Sequence, residues 1–307
     1  MDVIWGVSQN EVAWGQLIAI YLFLAGIAGG AFLTASVTDL FSKKQYPKVI
    51  RSGAYIAVVA IMVGLGLLVI DLGRPLSFWK LLLHVNMGSV MSIGVFIVSG
   101  FTAVSVVYGY LIWSAAAVQK QINVTSANTE VAATSVVQVR GIQAFRKPVA
   151  ALGMLFSIAT ATYTGFLLSD VTTNNFWNTG LFGIDAIPFL PILFLVSATS
   201  TGLAATLIGA FRGGDLTAYK KFDMVLLIVE MVLIAILYLS VKPIFFSGSM
   251  ATLFWLGVVS IGLIVPLFLS IYGVAKHKNV ILPVCAMVVI GGLSLRYFVV
   301  YTGQLFR

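Results

Sequence analysis

The sequence Asp71-Leu72-Gly73-Arg74-Pro75-Leu76-Ser77-Phe78-Trp79 follows nineteen residues, 52–70, that contain no charge. A helix that arrives through 63–70 can end at Leu72 if Gly73 adopts the left-handed conformation after the last turn, and Pro75 cannot continue the helix. Asp71 and Arg74 are then close enough to pair, and the two aromatic side chains that follow lie at the level of lipid headgroups. The stretch predicts an apolar helix that stops at a membrane surface.

The composition indicates a protein that crosses the bilayer many times. Of the 307 residues, 60% are hydrophobic and 9% are charged, and the mean hydropathy is +1.05, values that a soluble domain of this length would not tolerate. Runs of about 20 apolar residues without alternation are long enough to span a bilayer as helices. The sequence predicts an all-α polytopic membrane protein with eight spans, at 16–38, 52–70, 89–114, 148–169, 186–211, 223–241, 252–275 and 279–301.

Matching motifs predict that the spans form two four-helix bundles related by an internal repeat. Leu22-Phe23-Leu24 matches Leu193-Phe194-Leu195, and Tyr163-Thr164-Gly165 matches Tyr301-Thr302-Gly303. Equivalent helices run in the same direction, so the repeat is parallel, with its axis along the membrane normal. We expect an outer N-terminal segment at 1–15, helices 1–3 within 16–114, a polar cytoplasmic insertion at 115–147, helix 4 at 148–169 and the second bundle at 186–307.

The distribution of Lys and Arg predicts the orientation. Thirteen of the eighteen basic residues fall in the loops that follow odd-numbered spans, and the positive-inside rule places such loops in the cytoplasm. Both termini and the stretch that begins at Asp71 are therefore expected to face outward. The net charge of +8 is explained by a basic surface beside anionic lipid, without a nucleic-acid partner.

The chain has few residues that could hold a redox centre. His84 and His277 are its two histidines and fall on opposite sides of the membrane, so they cannot be the paired axial ligands of a haem. Cys285 is the single cysteine and cannot hold an iron–sulfur cluster. We expect no haem, no iron–sulfur cluster and no metal site in this chain.

Polar side chains gather near the predicted outer face: Tyr21, Asp71, Arg74, His84, Tyr163 and Arg296. An ionisable residue within a span costs about 2.5–3.5 kcal/mol, so it is expected to be paired or to line a cavity. One interpretation is structural, with an ion pair from Asp71 to Arg74 or to Arg296 that ties helix ends together. The other is a quinone pocket, in which tyrosines hold the headgroup oxygens and Asp71 or His84 is the catalytic proton acceptor.

Glu230 is a lone carboxylate in the sixth predicted span. It either forms a hydrogen bond to a neighbouring helix or belongs to a proton relay from the cytoplasm toward the outer face. In the relay hypothesis, the hydroxyl groups of Ser197, Thr199, Ser200 and Thr201 are the stepping stones.

Five stretches carry a family resemblance. They are Trp14-Gly15 with Tyr21-Leu22-Phe23-Leu24-Ala25-Gly26, Asp-Leu-Gly-Arg-Pro at 71–75, Tyr163-Thr164-Gly165 with Trp177-Asn178, residues 197–202, and Leu295-Arg296-Tyr297 with Tyr301-Thr302-Gly303-Gln304. As a set they resemble the NrfD/PsrC family, the membrane subunits of polysulfide reductase, formate-dependent nitrite reductase and related respiratory complexes. The resemblance covers nearly the whole chain except 115–147.

The resemblance implies a quinol-oxidising subunit with no terminal-acceptor chemistry of its own. Tyr21 and Tyr163 match positions that are associated with the quinone in this family, although Tyr21 replaces a His, and we assign Arg74 and Arg296 to the same quinone site. The quinone is expected to be menaquinone. The implied partners are an extracytoplasmic ferredoxin-like iron–sulfur subunit and a molybdopterin catalytic subunit or multihaem cytochrome, at a bacterial or archaeal cytoplasmic (inner) membrane.

Two other functional classes stay open at the level of sequence. A transporter or proton channel that uses Glu230 would also have many helices and an internal repeat, but its helices are expected to break at the midplane. Pro266 is the one proline near the middle of a predicted span. A passive membrane anchor would share the fold and bind no quinone. Co-purifying proteins and quinone binding separate these classes.

Overall fold

The structure is a computed structural model. It describes residues 15–42, 46–71, 79–80, 86, 88–124, 129–171, 174, 176–181, 184–212, 216–241, 246, 248–276 and 278–305.

Within these residues the chain has eight helices that are long and apolar enough to cross a membrane. They are α1 (Gln16–Phe41), α2 (Pro47–Asp71), α3 (Val90–Val124), α4 (Thr129–Ser169), α5 (Phe189–Ala210), α6 (Thr217–Ser240), α7 (248–275) and α8 (Ile281–Leu305). Helix α7 consists of three consecutive parts: Gly248–Thr252 is α-helical, Leu253–Ile264 is π-helical and Val265–Ala275 is α-helical. The prediction of an all-helical protein with eight membrane spans is confirmed. The chain is a multi-pass membrane protein.

Helices α1 and α5 form the centre of the molecule and join its two halves. Each contacts the other as well as α2, α4 and α8. Their backbones touch at a pair of glycines: a Cβ added to Gly30 would lie 1.9 Å from the Ala198 carbonyl oxygen, and one added to Gly202 would lie 2.3 Å from the Ala31 nitrogen. Membrane helices that lack a side chain at the crossing can approach this closely, which strengthens van der Waals packing.

The predicted internal repeat would make α1–α4 equivalent to α5–α8. α1 packs against α2 and α4, and α5 packs against α6 and α8. These contacts follow the order that the repeat requires, and the repeat itself stays a prediction.

Successive helices run in opposite directions, so the helix ends define two faces. The face at which α1 begins and α8 ends, together with Asp71 and Ser169, is called the terminal face below. The opposite face is called the basic face. There an ion pair joins Arg146 to Asp39, and Lys48 Nζ donates a hydrogen bond of 2.7 Å to the Arg212 carbonyl oxygen.

Several helices begin or end at other residues than the predicted spans. α4 begins at Thr129 and continues through Pro148, although a proline in a helix interior removes one backbone hydrogen bond. The polar segment predicted at 115–147 is therefore helical over 115–124 and 129–147. α5 begins at Phe189 rather than at 186, since Ile184–Pro188 is an extended strand that pairs antiparallel with Gly180–Leu181. This short hairpin was not predicted.

Candidate functional site

Two buried tyrosines lie side by side near the terminal face. Tyr21 is in the second turn of α1 and is 4% exposed, and Tyr163 is in the last two turns of α4 and is 7% exposed. The two phenols are close enough to interact electrostatically. Within the described part of the chain, no hydrogen bond satisfies either phenol hydroxyl. The structure thus brings together two of the residues that the sequence singled out.

Glycines on the neighbouring helices make room for these rings. A Cβ added to Gly94 of α3 would lie 1.7 Å from Cζ and 2.0 Å from the hydroxyl oxygen of Tyr163, so the phenol rests directly on the α3 backbone. A Cβ added to Gly64 of α2 would lie 3.6 Å from Cδ2 of Tyr21, an ordinary contact. Gly94 therefore fixes the position of Tyr163. Sequence reasoning missed this role, because nothing in a single sequence pairs a glycine with a tyrosine on another helix.

Asp71 marks the rim of the same region. It is the last residue of α2 and is exposed, two helical turns beyond Gly64, or about 10 Å along the axis. Arg74 and His84 lie outside the described residues, as does the predicted Asp71–Arg74 pair. The alternative pair from Asp71 to Arg296 does not form, because Asp71 is exposed at the surface whereas Arg296 is 2% exposed in the interior.

Arg296 lies deeper than the tyrosines. Its Nη2 donates a hydrogen bond of 3.2 Å to the Phe194 carbonyl oxygen, and its guanidinium group stacks 3.7 Å from the centroid of the Phe194 ring. Nε and Nη1 are buried without a hydrogen-bond partner among the described residues. The guanidinium also faces Gly26 of α1, which is five residues further into the membrane than Tyr21.

Glu230 of α6 is the acidic neighbour of Arg296. It is 5% exposed and lies within electrostatic range of the guanidinium, although the two do not form a direct ion pair within the described part of the chain. The Ser197 hydroxyl lies beside the carboxylate without reaching hydrogen-bond geometry. A buried carboxylate beside a buried guanidinium is less costly than either group alone.

The four hydroxyl groups that the sequence predicts in the relay differ in whether they already form a hydrogen bond. The hydroxyls of Ser197 and Ser200 are buried without partners in the described structure, and so is that of Thr160 on α4. The hydroxyls of Thr199 and Thr201 donate 2.8 Å hydrogen bonds to carbonyl groups of their own helix. The serines are therefore the hydroxyls that are available for an additional hydrogen bond.

The loop after α4 closes over the end of α8. Asn174 donates to the Gly303 carbonyl oxygen and accepts from the backbone nitrogen of Trp177 at 3.2 Å. The Trp177 indole nitrogen donates to the Val299 carbonyl oxygen at 2.8 Å. These bonds tie the residues after α4 to the last turns of α8, which include Gly303 of the second Tyr-Thr-Gly motif.

The described residues contain no group of three His, Cys, Asp or Glu side chains that could hold a metal ion. His84 and His277 both lie outside these residues.

Comparison with known proteins gives consistent results. The family model described as "Polysulphide reductase, NrfD" matches residues 7–307. The protein is 31% identical to a polysulfide reductase chain of Wolinella succinogenes, over 100% of its own length and 99% of that relative. It is 30% identical to the NrfD homolog of Haemophilus influenzae, over 96% and 95% of the two proteins. A selenate reductase subunit of Mesobacillus selenatarsenatis is 24% identical, over 94% of this protein and 73% of the relative.

Proposed function

Because the chain belongs to the NrfD family, and so is a membrane subunit of a reductase complex, we propose that it exchanges electrons between membrane quinone and an iron–sulfur protein. The observation that carries this proposal is the pair of buried phenols, Tyr21 and Tyr163, whose hydroxyls have no hydrogen-bond partner in the described structure. Menaquinone is the expected quinone.

The geometry of the two phenols suits a quinone headgroup. A quinone has two oxygens on a flat apolar ring, so it needs a few hydrogen-bond donors within a mostly apolar pocket. Tyr21 and Tyr163 supply two hydroxyls below the membrane surface, and Gly94 holds one of them in place. The isoprenoid tail can stay in lipid, because α2, α3 and α4 also expose apolar side chains on the outside of the bundle.

Proton transfer requires further groups at the rim. Quinol oxidation releases two electrons and two protons, and the protons need an acceptor within hydrogen-bond reach or one water away. Asp71 is exposed at the end of α2 and is our proposed acceptor, together with His84. Arg74 stays a proposed ligand of the headgroup on the basis of its position in the sequence.

Arg296 is better assigned to the interior pair with Glu230 than to the headgroup. Its contacts are with Phe194 and Glu230, one to two helical turns deeper than Tyr21. We propose that Glu230, Arg296 and Ser197 form the interior part of a proton relay. Ionisable side chains inside a membrane bundle typically mark such a path.

The proposed partners follow from the names of the relatives, which are those of reductase chains and subunits. We propose an extracytoplasmic ferredoxin-like iron–sulfur subunit at the terminal face, and a molybdopterin catalytic subunit or multihaem cytochrome beyond it. The chain would lie in a bacterial or archaeal cytoplasmic membrane with both termini outside, since most Lys and Arg residues belong to the other face.

The proposal is tested with the complex purified from membranes. Binding of a quinone analogue and turnover with a water-soluble quinol are measured for the wild type and for Tyr163→Phe. We expect the variant to bind the analogue more weakly and to lose inhibitor sensitivity, because one headgroup hydrogen bond is missing. Unaltered turnover and inhibitor sensitivity in Tyr163→Phe would count against the site.

Failure of an iron–sulfur protein to co-purify would favour the transporter class, and a complex that binds no analogue would favour a passive anchor.

A further inference from the structure

A cavity opens at the basic face, between α5, α6, α7 and α8. Its volume is about 20 Å³, room for about one water molecule, and its polar lining consists of Lys220, Asp223, Ser270, Lys278 and Cys285. The remaining wall is apolar. The cavity lies at the end of the molecule opposite the two tyrosines, so it is not part of the proposed quinone site.

Asp223 is the unusual member of this lining. Its side chain is 2% exposed, and its Oδ1 is buried without a hydrogen-bond partner among the described residues. An ionisable group that is buried and unpaired in a membrane helix is costly, and it typically serves a transport or proton path. Sequence reasoning missed Asp223 because it stands beside Lys220 and Lys221, where a solvated helix end was the simpler interpretation.

The nearby lysines do not pair with Asp223. Lys220 Nζ donates to Asn279 Oδ1 at 3.4 Å, and Lys278 Nζ lies 5.8 Å from the centroid of the Tyr272 ring. Within the described part of the chain, the only ion pair at 4.0 Å or less joins Arg146 to Asp39. The cavity therefore has a cationic mouth and a free carboxylate at its inner wall.

Asp223 lies on the same side of α6 as Glu230. Residues seven apart on a helix share a face and are separated by about 10 Å along the axis. The two carboxylates interact electrostatically, and beyond Glu230 come Ser197 and Arg296. These buried polar groups therefore follow one another from the cavity toward the interior of the bundle.

We propose that Asp223 is the proton-uptake group of the basic face, which takes protons from water in the cavity and passes them to Glu230. This inference rests on the proposed function and extends it. Asp223 accepts a proton from a hydronium ion and becomes neutral, then releases it through bridging water to the Glu230 carboxylate and is ionised again. Reduction of a quinone by the iron–sulfur partner consumes two electrons and two protons, and quinol oxidation reverses both transfers.

The proposal has an electrical consequence. Electrons are exchanged at the terminal face. Protons that Asp71 and His84 exchange stay at that face, whereas protons that pass through Asp223 and Glu230 cross from the basic face. Each proton that takes the second route moves charge across the membrane. If protons were exchanged at the terminal face alone, turnover would be electrically silent.

The test uses the purified complex in liposomes that contain a quinone. The charge moved per electron is measured with a voltage-sensitive dye while a water-soluble redox dye drives turnover at the terminal face. We expect Asp223→Asn to lower the charge moved per electron, because the buried uptake carboxylate is missing. We expect Asp223→Glu to retain the charge moved per electron, and both variants to bind the quinone analogue like the wild type. The matched control is Asp170→Asn, the same change at an exposed carboxylate of the terminal face, which should behave like the wild type.

A second variant keeps the test informative if Asp223→Asn does not assemble. Ser270→Leu fills the cavity and leaves the carboxylate in place, and it is expected to lower the charge moved per electron in the same way. Wild-type charge movement in Asp223→Asn, or in Ser270→Leu, would overturn the proposal while leaving quinone binding untouched. If instead the wild-type complex binds no quinone analogue, the proposed function itself is overturned, and the relay with it.

Discussion

Replacing Gly94 by alanine is the sharpest probe of the tyrosine pair. The new methyl group would lie 1.7 Å from Cζ and 2.0 Å from the hydroxyl oxygen of Tyr163, well inside van der Waals contact. The phenol must therefore leave its present position, since the backbone of α3 is held by its own helix. The overpacking itself is expected to cost about 1–3 kcal/mol of stability.

The effect on quinone binding follows from the hydrogen bond that the displaced phenol would lose. A neutral hydrogen bond contributes about 0.5–1.5 kcal/mol net, which corresponds to a loss in affinity of about twofold to about thirteenfold. We expect Gly94→Ala to weaken quinone-analogue binding by this amount, measured by titration of the purified complex. Gly66→Ala is the matched control, because a Cβ at Gly66 of α2 meets nothing within 4 Å.

A double-mutant cycle separates a local effect from a general one. If Gly94 acts by holding Tyr163, then adding Gly94→Ala to Tyr163→Phe should weaken binding little further, because the hydrogen bond is already absent. Contacting residues are expected to show such non-additivity. Wild-type affinity in Gly94→Ala, or fully additive losses in the double variant, would refute the reasoning.

Two other substitutions test the proton relay and the basic face separately. Glu230→Gln should lower turnover or proton translocation while partners still co-purify; unchanged values of both quantities would retire the relay. Asp39→Asn should lower the stability of the purified protein by about 3 kcal/mol, because it leaves Arg146 without its partner and weakens the 3.0 Å hydrogen bond from Tyr108. Thermal unfolding in detergent measures this loss, with Asp170→Asn as the control, and equal midpoints would show that the ion pair contributes nothing.

The fold was largely predictable because the bilayer imposes its own length on each helix. Hydropathy alone located all eight spans, since uncharged runs of this length have no other stable structure in lipid. The same criterion misjudged helix ends. Polar residues at 115–124 and 129–147 show where α3 and α4 leave the membrane, but a helix can continue into water, and Pro148 did not stop α4.

Depth was the harder quantity to obtain from the sequence. The last span was predicted to end at 301, but α8 continues to Leu305, and α6 begins at Thr217, six residues before the predicted span. Arg296 contacts Phe194 and lies within electrostatic range of Glu230 rather than at the rim. Contacts between helices, such as Gly94 against Tyr163, depend on how helices rotate and pack, which one sequence does not specify.

The most direct test of the quinone site is to locate the bound quinone. A photoreactive quinone analogue is crosslinked to the purified complex, and the modified peptides are identified by mass spectrometry. We predict crosslinks in the peptides that contain Tyr21, Gly94 and Tyr163, which excess unlabelled quinone suppresses. Saturable crosslinks confined to other helices, or none in this protein, would contradict a quinone site at the tyrosine pair.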